Sequence, residues 1–331
     1  MIARGGAVLQ ESWFANLPEL QRTLYFEDDE LSLHRAIIPD LRNDQSLPLS
    51  QFHSMILRCH NATVEHYRRQ RPRSLDRLDL FNLARQYVTE IFACAILKDA
   101  LPRILDPAVL HWSLTQGAPL YRRAAQIVGS RHVLPIEACL ILPGLLALHQ
   151  PAAFHPNQTS SSPLSPEQWF SEAPFVGLPS ELFVSRRIPT RLRAANLVDW
   201  LFLYDEPGAS ADGAALHRCD CLQNCPDLHN ALGALSGQAC AVAVKRAIGL
   251  ELPIMSKFEG TSQSNGRADD VPLLHYVIAE AKQIGKRGRL GPLGSLIVAE
   301  TFAGAILTTI PEIANLTQKV TLRDFTNAPA T

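Results

Sequence analysis

Apolar residues recur at helical spacing along almost the whole chain, and that period restricts the fold more than any other feature. Phe52, Met55, Ile56 and Cys59 fall at i, i+3, i+4 and i+7, which is one face of a helix starting near Ser50. Leu78, Phe81, Ala84, Tyr87, Val88, Ile91 and Ala95 repeat the pattern, with Ser74 or Asp76 placed to cap it. The same period predicts helices over 121–128, 136–149 and 273–283. Two-residue alternation is scarce: Leu182-Phe183-Val184-Ser185 reads as a short strand without a clear hairpin partner. The fold class is all-α.

The last third carries two helix starts. Ser236 caps a helix over 239–248, whose last turn holds Lys245 and Arg246 and which Gly249 ends. Gly291-Pro292 and Gly294-Ser295 break the chain before a more apolar helix that runs to about Leu307. Three stretches read as loops: 156–166 with its serines and prolines, 205–226 with Pro207-Gly208 and a cysteine cluster, and 260–272, rich in Ser, Gly and Asp. Helical patterns resume after each, so the reading is one domain with long surface loops and no internal repeat.

Charge excludes some functions. Lys plus Arg number 31 against 32 Asp plus Glu, so no net field draws the chain to nucleic acid or to anionic lipid. The basic run Arg68-Arg69-Gln70-Arg71-Pro72-Arg73 has no interleaved aromatics and reads as a solvated connection between helices. Charged residues make up 19% of the chain, which implies a thick apolar interior or surfaces that meet partners. The N-terminus lacks the apolar core of a signal peptide. The uncharged run 138–154 is short for a membrane span, contains Pro143 and Pro151, and reads as a buried helix. Seven unevenly spread cysteines fit a reduced compartment. Together these point to a cytoplasmic protein without a membrane span. Neither a G-x-S-x-G elbow nor a phosphate-binding G-x-x-x-x-G-K-[ST] loop is present.

Two groups of residues have the chemistry of metal ligands. His217-Arg218-Cys219-Asp220-Cys221-Leu222-Gln223-Asn224-Cys225, with His229 following, offers three thiols and a choice of imidazole to a soft metal such as zinc. No second knuckle accompanies Cys219, Cys221 and Cys225, so a reduced loop without metal is the competing reading. His53 and His60 stand two turns apart on one helix face, too far along the axis to share a metal easily, and read with His66 as core or hydrogen-bonded histidines. His149 ends an apolar helix, a setting in which an imidazole either meets the helix C-terminus or ligates haem iron.

Seven stretches, in order over about 36–325, resemble the bacterial branch of the animal-type haem peroxidase superfamily, the family of myeloperoxidase and cyclooxygenase. Ala36-Ile37-Ile38-Pro39-Asp40-Leu41-Arg42-Asn43-Asp44-Gln45 is similar to its A-L-I-G-D-x-R-N-D-E-N. Leu49-Ser50-Gln51-Phe52-His53 and Leu57-Arg58-Cys59-His60-Asn61 resemble the helix that follows it. Asp99-Ala100-Leu101-Pro102-Arg103-Ile104 is similar to D-F-L-P-R-I, and Ser185-Arg186-Arg187-Ile188-Pro189-Thr190-Arg191-Leu192 to A-R-R-I-D-x-R-L. Ser236-Gly237-Gln238-Ala239 and Leu290-Gly291-Pro292-Leu293-Gly294-Ser295 match its two C-terminal motifs.

The resemblance implies a haem-peroxidase-like helical bundle over 36–325, an N-terminal extension over 1–35 and a short tail over 326–331. It implies haem as cofactor and peroxide-dependent oxidation of an organic substrate. Arg42 matches the distal arginine, whose fixed charge stabilises the breaking O–O bond. Gln45 stands where some relatives have a haem-linking Glu. The chain departs from the pattern at the reacting centre. No G-Q-F-x-x-H-D with the distal base precedes Arg42. The proximal histidine falls at about Leu146-Ala147, so that His149 would have to substitute. The family's Asn that orients it and its Arg near the haem propionates read Cys225 and Leu228 here. The alternatives are a haem enzyme rewired through His149 or Cys225, a fragment completed by another polypeptide, and a non-catalytic pseudo-peroxidase. The last would bind a small organic ligand, a protein partner or an active paralogue.

Overall fold

The computed structural model describes residues 47–70, 76–149, 153, 155–158, 160, 162–165, 197–200, 230, 232–255, 271–285, 289–315, 320–321 and 323–326; of 143–149 the backbone alone is described. The described residues are overwhelmingly helical, and the all-α class is established. They fall into two compact units. Unit 1 takes 1–92, 152–207 and 322–331, and unit 2 takes 93–151 and 208–321.

In unit 1, α1 (Leu47–Gln70) begins one turn earlier than the spacing indicated. Its first turn is closed by its own side chains, with Ser50 Oγ donating to the Leu47 carbonyl at 3.0 Å. Asp76 caps α2 (Arg77–Ala95) as expected, its carboxylate accepting from the Asp79 N–H at 2.7 Å. Val64 of α1 and Leu80 and Ala84 of α2 form a buried cluster against Tyr67 and Phe81. Phe52 stacks edge-on to Trp200 at 5.6 Å, and Phe92 to Phe325 of α10 (Arg323–Thr326) at 6.1 Å. Gln51 is buried because its side-chain carbonyl accepts the Val198 N–H at 2.7 Å, tying α1 to the segment after the loop. Described residues of 156–165 are irregular, as the loop reading requires, and Arg68 and Arg69 end α1 exposed to solvent.

Unit 2 opens where α2 passes into a π turn, Ile96–Ala100, and the short α3 (Leu101–Ile104). Pro102 has no N–H to continue the regular ladder, and the π register bridges that gap. α4 (Pro107–Gln116) starts at Asp106, whose carboxylate accepts from the Ala108 and Val109 N–H groups, and stops at Gly117 in the left-handed region. α5 (Pro119–Val128) and α6 (Ile136–His149) follow. α7 (Gly237–Ile248) has the Ser236 cap and the Gly249 stop that the sequence predicts. α8 (Leu273–Gln283) matches its expected bounds.

α9 (Pro292–Thr309) corrects one expectation. Gly294-Ser295 does not break the chain; both residues lie inside the first turn, and the helix continues past Leu307. α9 is the axis of unit 2, packed against α4, α5, α6 and α8. By length and composition it would also cross a membrane, but 61% of it is buried within the protein, as in the core helix of a soluble fold.

Candidate functional site

Two glutamates on neighbouring helices are almost fully enclosed, and each closes the start of another helix. Gly291, the N-cap of α9, has no side chain to offer the first N–H groups. Glu280 of α8 supplies the missing acceptor: its carboxylate receives the Leu293 N–H at 3.0 Å and the Gly294 N–H at 3.1 Å. Burial pushes Glu280 up to about 7, opposed by those two N–H groups and reinforced by Asp106.

α5 poses the same problem. The chain turns from α4 into α5 through Gly117 and Ala118, both at positive φ, and Ala118 has no cap to give. Glu300 of α9 caps α5 from a distance, its Oε2 accepting the Leu120 N–H at 2.8 Å and the Tyr121 N–H at 3.2 Å. Its Oε1 accepts from the Ser113 hydroxyl at 2.7 Å. Burial raises the Glu300 carboxyl, against these three donors and the more distant Arg122 guanidinium. Gly304, one turn on, has no Cβ because the Tyr121 ring lies where one would stand.

Glu300 also lies in the wall of a cavity of about 230 Å³ between α5, α7 and α9. Tyr121, Cys240, Val244, Leu296 and Ile297 make its buried floor, while Leu235, Ala247 and the half-buried Glu137 reach solvent at the rim. The polar atoms of the floor are already engaged. Tyr121 donates its hydroxyl to the Arg131 carbonyl at 3.1 Å, and Thr301 donates to the Ile297 carbonyl at 2.7 Å. Burial pushes the Cys240 thiol up to about 12, helped by Glu137 and Glu280, so it is no thiolate nucleophile at neutral pH. The arrangement suits binding of a small apolar group and holds no activated nucleophile. An open groove adjoins the cavity through Leu235, Ala243 and Ala247 and is flanked by Arg123 and Arg246.

Of the residues singled out in the sequence, Arg42, Gln45, Cys219, Cys221, Cys225 and His229 lie outside the described residues, as do His217 and the 182–185 segment. His149 ends α6, and its side chain is likewise outside them. Among the described residues no group of three or more His, Cys, Asp or Glu is placed to hold a metal ion. His60 is a buried core histidine against the Phe81 ring at 5.2 Å, while His66 is exposed and meets Gln70 at 2.9 Å. The cavity does not fit haem: among the described residues its lining has no imidazole, its thiol is held protonated, and its volume falls below the roughly 300 Å³ at which pockets for drug-sized ligands begin.

Sequence reasoning passed over Glu137, Cys240 and Glu300. Glu300 did carry a signal, as the one acid inside the apolar run of α9, where an ionisable residue needs a partner. The described motifs have structural duties. In D-A-L-P-R-I, buried Asp99 accepts from Arg103 at 2.8 Å. In S-G-Q-A, Gly237 lets the Tyr276 ring lie against the backbone, and Gln238 accepts the Val271 N–H at 3.2 Å. Neither the models of known protein families nor the curated proteins contain a match to this chain.

Proposed function

We propose that this chain is a helical protein of the haem-peroxidase kind that works as a binding module for a small organic molecule rather than as a conventional peroxidase. The observation that carries the reading is the cavity beside Glu300: an apolar floor, no imidazole among the described lining residues, and a thiol that burial keeps protonated. Such a site holds a ligand by excluding its hydrocarbon surface from water, at roughly 25 cal/mol per Å² of apolar area. Among the described residues it offers no imidazole to act as a distal base. The Leu146-Ala147 pair at the proximal position supports the same reading. A cytoplasmic location is supported by buried free thiols at Cys59 and Cys240.

The test is the absorption spectrum of the protein purified after expression with ample haem. A folded, helical and colourless protein is the expected result. A stoichiometric Soret band would overturn the reading, and its shift on His149→Ala or Cys225→Ser would then identify the axial ligand.

A further inference from the structure

Resting on that reading, the cavity's charge pattern narrows the ligand. Two carboxylates, Glu137 and Glu300, line it, and among the described residues no lysine, arginine or histidine does. Among the described residues Glu137 has no hydrogen-bond or ion-pair partner. It stands half-buried at the rim, in the first turn of α6, with the apolar floor beyond it. Glu300 has donors at three of about four lone-pair positions, leaving one on Oε1. Arg122, the cation that acts on Glu300, is itself engaged, its guanidinium donating to the Gln116 carbonyl at 2.9 Å.

We propose that the cavity between α5, α7 and α9 binds a small hydrophobic amine. The ammonium group pairs with Glu137 at the rim, and the hydrocarbon fills the floor formed by Tyr121, Val244, Leu296 and Ile297. A dry apolar cavity of about 150 Å³ accepts benzene. At about 230 Å³ this one has room for a single ring and a short side chain. An ammonium at a partly desolvated, unpaired carboxylate makes a charge-assisted hydrogen bond, which neither a neutral isostere nor an anion can make. The Arg123 and Arg246 side chains flank the adjoining groove and favour the opposite charge, so an anionic ligand is the rival.

Phenethylamine, ethylbenzene and phenylacetate separate these cases when titrated into the purified full chain by calorimetry and protein NMR at pH 7. Phenethylamine is expected to bind about tenfold or more tightly than ethylbenzene. Phenylacetate is expected to bind weakest. Glu137→Gln, which keeps shape and removes charge, should bring phenethylamine down to the ethylbenzene level without moving the melting temperature. Ala243→Phe should block both by filling the cavity, with helicity checked by circular dichroism. Equal binding of amine and ethylbenzene, or an undiminished preference in Glu137→Gln, would overturn the amine assignment and leave the binding-module reading standing. Tighter binding of phenylacetate would move the site to the Arg123–Arg246 groove and also overturn it. No binding of any probe by a colourless protein would overturn the inference, whereas a Soret band would overturn the reading beneath it.

Discussion

Replacing Glu280 by Gln tests how unit 2 handles a carboxylate that is fully enclosed, with 0% of its surface exposed. Two effects compete at this side chain. Removal from water favours the neutral acid, while the Leu293 and Gly294 N–H groups at the positive end of α9 favour the anion. Burial wins, lifting Glu280 from 4.5 to about 7. The folded protein therefore binds the proton more tightly than the unfolded chain between those values. Stability from this group is fully present below pH 4.5 and is lost as pH rises through 7. At about 1.4 kcal/mol per pH unit the loss amounts to about 3 kcal/mol. Glu280→Gln cannot titrate, so the stability of the wild type minus that of the variant should fall by about that amount between pH 4.5 and 8. Urea unfolding followed by circular dichroism across that range gives the difference directly, with the other titrating groups cancelling between the two proteins. A difference that stays flat, or grows with pH, would refute the reasoning and mean that the helix N-terminus outweighs desolvation.

His60 should act in the opposite sense. Burial lowers its pKa below 6.5, so the unfolded chain takes up the proton first and stability falls as pH drops below that value; His60→Gln should remove this part of the acid sensitivity in the same urea series. Gly237→Ala puts a methyl group where the Tyr276 ring lies and should cost about 1–3 kcal/mol, read as a lowered melting temperature with α7 otherwise favoured by alanine.

Local signals in the sequence located most helix ends. Ser236, Asp76 and Gly249 act within a turn of their own positions, and a short-range rule is enough to place them. α4 was equally available: Asp106-Pro107 and Gly117 are a cap, a first-turn proline and a left-handed stop, although no apolar period over that stretch announced it. Gly294-Ser295 misled for the opposite reason. Glycine and serine read locally as a break, but the acceptor that keeps the first turn of α9 helical is Glu280, on the preceding helix and contributed by tertiary packing. The division into two units was hidden because α2 runs through the boundary without a composition change. The cavity was illegible as a whole: its walls come from α5, α7 and α9, and no single window of sequence contains them.

Two of the described motifs that carry the resemblance, both in unit 2, meet in space as scaffold. The Leu290 N–H donates to the Ile104 carbonyl at 2.8 Å, and the Asp106 N–H donates to the Ser295 hydroxyl at 2.8 Å, joining L-G-P-L-G-S to the end of D-A-L-P-R-I. Gly291, between them in the same layer, has Glu280 where a Cβ would stand. Leu290, Ser295 and Gly291 thus serve to join chain segments and to let two helices approach. Words used this way restrict which helices can pack together. They place no demand on whether a haem, an amine or nothing occupies the space beside them. A chain can therefore keep such words intact whatever groups line the space beside them.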